Sequence, residues 1–197
     1  MGDGAKKIEA LTAKQQEFLL ANVAGTHKDI VVLMLDTGCR IRELLWLVWD
    51  DIHLESDELE LGADGERRRV PLTPRVREMF KNRKDTVPGL IMFPIPLHSI
   101  YVFLGMVNRR KGLHVTPMML RDTYGKALGD ANLPVRVVAK AMGVTSKTAL
   151  KYLPEDCDLE DTEIVRRALN LKYWIYAASP EEKEAERKAG NQWPGKV

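Results

Sequence analysis

The chain has 197 residues, 45% apolar and 29% charged, with a formal net charge of +2. This is the balance of a soluble globular protein, with length for one domain and its core, or one domain plus a tail. A surplus of +2 is a weak argument for nucleic acid, because DNA-binding domains are usually clearly basic. The N-terminus, Met1 to Ala10, is charged and carries no signal-peptide run. The two cysteines, Cys39 and Cys157, form no disulfide framework or metal-ligand spacing, so no metal and no cofactor are expected, and a reducing cytoplasm fits. Gly89 to Val107 lacks Asp, Glu, Lys and Arg, but Pro94, Pro96, His98 and Ser99 interrupt it. It reads as a buried loop followed by a helix rather than a membrane span.

In chain order, Leu11 to Val23 has helical apolar spacing, with Thr12 as its cap. Lys28 to Leu35 is a second helix, ending at the Asp36-Thr37-Gly38 turn, and Ile41 to Trp49 a third. Ile52 to Leu54, Leu59 to Leu61 and Arg69 to Leu72 read as short strands, with turns at Ser56-Asp57 and Ala63-Asp64-Gly65. Thr73-Pro74 opens a helix to about Asn82. Further helices are expected over Ser99 to Val107, Met118 to Leu128, Val135 to Met142, Ser146 to Tyr152 and Asp161 to Ala178. The fold class is mainly α with a small antiparallel sheet. Residues 1–10 form an N-terminal extension, 11–178 one domain and 179–197 a polar tail.

Charge is unevenly spread. Arg67, Arg68, Arg69, Arg75, Arg77, Lys81, Arg83 and Lys84 lie between Glu66 and Lys84, with Glu66 and Glu78 their only acidic company. Arg109-Arg110-Lys111 and Arg136, Lys140, Lys147 and Lys151 make two more clusters, while acids gather at Asp50 to Asp64 and Glu155 to Glu163. The pattern reads either as solvated faces or as a basic groove with an acidic back.

One motif organises the rest. Thr37-Gly38-Cys39-Arg40-Ile41-Arg42-Glu43-Leu44-Leu45-Trp46-Leu47-Val48-Trp49-Asp50-Asp51-Ile52 resembles the first catalytic-arginine box of the tyrosine site-specific recombinases, the phage integrase family. Thr116-Pro117-Met118-Met119-Leu120-Arg121-Asp122-Thr123-Tyr124 resembles the second box, and Ala141 to Tyr152 the stretch leading to the nucleophilic tyrosine. The resemblance implies the catalytic domain of that family, acting on double-stranded DNA through a 3′-phosphotyrosine without metal, as a homo-oligomer on DNA, away from membranes, and encoded by a mobile element. The family's separate N-terminal DNA-binding domain has no room before Leu11.

That chemistry has physical needs. Two arginines brace the non-bridging phosphate oxygens. An acid protonates the departing oxygen, and a base assists a phenol whose free pKa is near 10. By resemblance, Arg40 and Arg121 are the arginines, Tyr152 is the nucleophile, and Glu43 is structural. Arg67, Arg68, Arg109, Arg110, Lys140 and Lys147 are expected to contact DNA. Three positions depart from the pattern: Ala63 stands where the family has a lysine, Met118 where it has a histidine, and Val144 where it has His or Trp. Asp122 replaces another common histidine, and His114, one turn upstream of Met118, reads as a loop histidine, with a stand-in role as the lesser alternative. No lysine occurs from Asp29 to Phe80. Phosphate-bracing groups are thus present and proton-transfer groups missing, which suits a slow enzyme or a catalytically dead DNA-binding relative.

Two other readings compete. Val135 to Leu153 also reads as a helix-turn-helix regulator, with Gly143 in the turn, Val144 as a core plug, and Ser146 and Lys147 on a recognition helix. The acidic segment Glu155 to Glu163 with Tyr173, Trp174 and Tyr176 suits a protein-interaction module, or else a last helix packing on the core.

Overall fold

The computed structural model describes residues 8–63, 66–84 and 91–153. Eight helices and a three-stranded antiparallel sheet are seen among them. The helices are α1 (Ala13–Ala21), α2 (Gly25–Thr37), α3 (Ile41–Leu45), α4 (Pro74–Lys84), α5 (Leu97–Lys111), α6 (Pro117–Asp130), α7 (Val135–Met142) and α8 (Ser146–Ala149). The strands are β1 (Ile52–His53), β2 (Glu58–Ala63) and β3 (Glu66–Pro71), in the order β1-β2-β3. The mainly helical class with a small antiparallel sheet is therefore observed. Asp161 to Ala178, Tyr173, Trp174, Tyr176 and the polar tail lie outside the described residues.

α2 is the central helix: every residue from Ile30 to Thr37 is buried. α1, α4 and α6 pack on it. It stops at Gly38, which takes the left-handed conformation at φ 59°. A side chain there would also strike the Tyr124 ring, so the Thr-Gly turn needs glycine for both backbone and space. Thr12 caps α1 in a reciprocal arrangement with Gln15, and Thr116 caps α6 through the Met119 N–H.

Several boundaries differ from expectation. α3 is one turn shorter, because the chain leaves the helix at Trp46 and makes a 3-10 turn over Trp49–Asp51 before β1. That exit leaves Trp46 exposed and sends Leu47 inward. α2 and α5 are longer than expected; α5 continues to a left-handed Gly112. The expected Ser146 to Tyr152 helix is α8 followed by a 3-10 turn, Leu150–Tyr152. α8 has four residues, and the turn after it packs on α6. It is no free recognition helix, which removes the geometry that the helix-turn-helix reading requires.

The expected basic groove with an acidic back does not form from the Glu66 to Lys84 run. Its arginines interleave with the acids. Arg67 pairs with Asp51 and Glu60, Arg69 with Glu58 and Glu60, Arg75 with Asp36, Arg77 with Asp57, and Arg83 with Asp29. The β2–β3 register sets Glu60 opposite Arg69 and Leu61 opposite Arg68, so opposite charges meet across the strands on the outer face.

Candidate active site

Strand alternation decides the first feature of the site. Leu59, Leu61 and Val70 face the core, and Arg68, two residues before Val70, shares their face. Its side chain is 8% exposed and meets the Glu43 carboxylate, 3% exposed, in a two-pronged ion pair at 2.5 and 3.0 Å. Arg68 was expected on the DNA-facing surface; it is instead an internal brace, since strand pleating turns it inward. Arg67, on the outer face, is exposed but held by two carboxylates.

Glu43 also holds the start of its own helix. Its carboxylate accepts the Arg40 backbone N–H at 2.6 Å and Arg40 Nη1 at 2.9 Å. Burial alone would push this carboxyl up, but hydrogen bonds and charge from Arg68, and then from Arg40, outweigh it. The group sits below the ordinary carboxylate range. Glu43 is structural, as expected, but for two arginines rather than one.

The C-terminal end of α7 collects three guanidiniums. Arg68 Nε donates to the Ala141 carbonyl at 2.9 Å, Arg121 to the Met142 carbonyl, and Arg40 Nη2 to the Gly143 carbonyl at 2.5 Å. Successive carbonyls left without helical partners at a helix C-terminus carry partial negative charge and suit cations. Arg121 donates also to the Gly38 carbonyl, tying the first motif to the second. Burial first, then the charges of Arg40 and Arg68, push the Arg121 pKa down from its ordinary value. Arginine still stays charged at neutral pH.

Arg40 and Arg121 line one cavity of about 460 Å³, together with Arg42, Tyr101, Thr116, Pro117 and Met118. Arg40 is 48% exposed toward solvent, whereas Arg121 is buried. Cys39 also borders the cavity, but burial pushes its thiol up to about 11 and keeps it neutral and unreactive. Arg40 and Arg68 share one carboxylate, Glu43, while Arg121 is held by the uncharged Gly38 and Met142 carbonyls close enough to Arg40 to feel its charge. Such a cluster suits an anionic ligand.

Tyr152 does not line this cavity, although the Arg121 charge reaches its hydroxyl. Its hydroxyl donates to Asp122 Oδ1 at 2.5 Å, and Lys151 Nζ reaches the same oxygen at 3.2 Å. Burial, then the hydrogen bond and charge of Asp122, hold the hydroxyl above the ordinary tyrosine value, with Arg121 pulling the other way. The ring rests on α6 because that helix carries no side chain at two positions. A Cβ on Gly125 would come 2.7 Å from the ring, and one on Gly129 would come 1.7 Å from the Tyr152 carbonyl oxygen. Gly129→Ala is expected to force the Tyr152 turn off α6 and cost about 1–3 kcal/mol, read as a lower denaturation midpoint; an unchanged midpoint would refute the close packing.

Among the other predicted positions, Met118 is exposed in the cavity wall and Val144 is half-buried beside the Tyr152 cluster. Ala63 pairs with Glu66 at the end of β2. Arg109 and Arg110 are exposed in the last turn of α5, and Lys140 and Lys147 are exposed on α7 and α8. His114 is exposed in the loop before α6 and does not line the cavity. Sequence reasoning missed Gly125, Gly129 and Arg42. The glycines left a signal, since a four-residue spacing within a helix marks one small-residue face. Arg42 left none. Among the described residues, no group of His, Cys, Asp and Glu is placed to hold a metal ion, and no helix is long and apolar enough to cross a membrane.

The model of the phage integrase family matches residues 9–153, and the chain belongs to that family. It is similar to the tyrosine recombinase XerA of Pyrococcus horikoshii, 23% identical over 159 residues, which cover 69% of this chain and 56% of that protein. XerA of Saccharolobus solfataricus is 28% identical over 145 residues, 70% of this chain and 49% of the relative. The chain thus spans about half the length of the curated relatives it matches. In fold it is similar to the Tn1549 transposon integrase, solved in complex with a circular intermediate DNA. The TM-score is 0.68 at 16% identity, over 96% of this chain and 68% of that one. The crystal structure of XerA recombinase gives a TM-score of 0.65 at 17% identity, over 88% and 66%.

Proposed function

We propose that this chain is the catalytic portion of a DNA-binding tyrosine recombinase that cleaves and rejoins a DNA strand through a 3′-phosphotyrosine on Tyr152. The observation that carries this reading is the shared cavity of Arg40 and Arg121, whose guanidiniums lie close enough that, beyond burial, the Arg40 charge pushes the Arg121 pKa down. In this proposal a backbone phosphate enters the cavity. Arg40, at the solvent edge, takes one non-bridging oxygen, and the fixed Arg121 takes the other. Charge that builds on those oxygens in the transition state is met by groups already in place. Tyr152 attacks phosphorus and the 5′ oxygen leaves. Arg109, Arg110, Lys140 and Lys147 hold the flanking backbone, and copies of the protein assemble on the DNA. The replacements at Ala63, Met118 and Val144 remove proton donors, so the reaction is slow, by about 10²–10⁴ for each group lost.

Exchange of Arg40 for alanine tests the phosphate role. It leaves the buried Glu43–Arg68 pair in place, so the fold survives. Affinity for duplex DNA is expected to fall, together with the salt slope, by about one phosphate contact. Unaltered affinity and slope in Arg40→Ala would remove Arg40 from the phosphate site. A wild-type affinity indifferent to salt would refute DNA as the ligand.

A further inference from the structure

We propose that Asp122 is the proton acceptor for the Tyr152 hydroxyl, a catalytic carboxylate at a position where the resembling motif commonly has histidine. The inference rests on the phosphotyrosine reading above and supplies one of the proton-transfer groups that the sequence pattern lacks.

The contact is direct and built. Asp122 is buried on α6, one residue after Arg121, and its Oδ1 accepts the Tyr152 hydroxyl at 2.5 Å. Lys151 reaches the same oxygen at 3.2 Å and lies over the Tyr152 ring at 4.5 Å. Both Lys151 and the Tyr152 hydroxyl donate to this oxygen, and a carboxylate accepts hydrogen bonds without donating any. Gly125 and Gly129, one and two turns further along the same helix, give the tyrosine its seat. Carboxylate, phenol and the bracing Arg121 are thereby fixed by a single helix. The charged and titratable groups that touch Asp122 are Lys151 and Tyr152 on the 3-10 turn, and Arg121, the preceding residue on its own helix, acts on the Tyr152 hydroxyl.

The step balances. As the Tyr152 oxygen forms its bond to phosphorus, its O–H bond breaks and the proton passes to Asp122. The bond from phosphorus to the 5′ oxygen breaks, and that oxygen takes a proton from solvent water. Asp122 then releases its proton to solvent, or returns it to the tyrosine oxygen on religation. At rest the contact favours the neutral phenol, so the transfer becomes favourable only as phosphorus draws charge from the oxygen.

Asp122→Asn separates this role from packing. The amide keeps an oxygen that accepts the hydroxyl hydrogen, but it cannot take up the proton. With a pool of nicked duplexes of randomised sequence as probe, the rate of covalent capture is expected to fall about 10²–10⁴-fold, with DNA affinity and thermal midpoint retained. Asp122→His is expected to restore capture and to place an acid limb of the pH–rate profile near the histidine value of about 6.5. Capture by Asp122→Asn at the wild-type rate overturns the proton-acceptor role and leaves the recombinase reading standing. Wild-type protein that binds the pool but captures nothing overturns the phosphotyrosine reading, and this role with it.

Discussion

Replacing Glu43 with alanine is expected to destabilise the domain by about 3–5 kcal/mol, the largest stability effect of any single change at the site. The carboxylate is 3% exposed and neutralises Arg68, itself 8% exposed on the inner face of β3. Without it a guanidinium is left buried without its anion, held by the Ala141 carbonyl. Denaturant unfolding of the wild type and Glu43→Ala gives the number, and a loss below about 1 kcal/mol, the scale of a surface pair, would contradict the internal ion pair. The same carboxylate predicts a pH dependence. Its pKa is lowered on folding, so its contribution is complete above the unfolded value of about 4.3. It is lost as pH falls from there through the lower folded value. Glu43→Gln is expected to flatten that acid limb of the stability curve.

Tyr152→Phe is expected to abolish covalent attachment to DNA while DNA affinity stays at the wild-type level. The hydroxyl is the atom that would bond to phosphorus, and phenylalanine keeps the ring that rests on Gly125. The cost to the fold is one hydrogen bond to Asp122. Asp122 keeps Lys151 as a partner, so the loss in stability is small, about 1–2 kcal/mol. Undiminished attachment by the phenylalanine variant would move the nucleophile elsewhere. Weakened binding alone, with attachment kept in proportion, would assign Tyr152 to the DNA surface.

Arg40 and Arg121 could be singled out from the sequence because each sits in a local motif whose geometry is local too. Arg40 precedes a short helix after a glycine turn, and Arg121 stands on the first turns of a capped helix. What sequence spacing could not supply was how these segments meet. Gly38, Met142 and Gly143 accept the arginines across separations of 83, 21 and 103 residues. Arg68 is instructive in a different way. Its run of three arginines reads as a charged surface patch. Yet the inward-facing Val70 already fixes which member of the run turns inside, because alternation along a strand admits one choice. The acids of Asp50 to Asp64 likewise look like a separate patch until the β2–β3 register places them among the arginines. Asp122 was read as a lost histidine, since a motif comparison records the missing side chain and not the partner that the new one gains.

The most direct test of the account is mass mapping of the wild-type chain after incubation with a pool of nicked duplexes of randomised sequence. The nick lets the short 5′-hydroxyl fragment leave and traps any covalent intermediate. The account predicts a denaturation-resistant adduct in which a 3′-phosphate is esterified to the peptide containing Tyr152. Protein that binds the pool yet yields no adduct, or an adduct at any other residue, would contradict it.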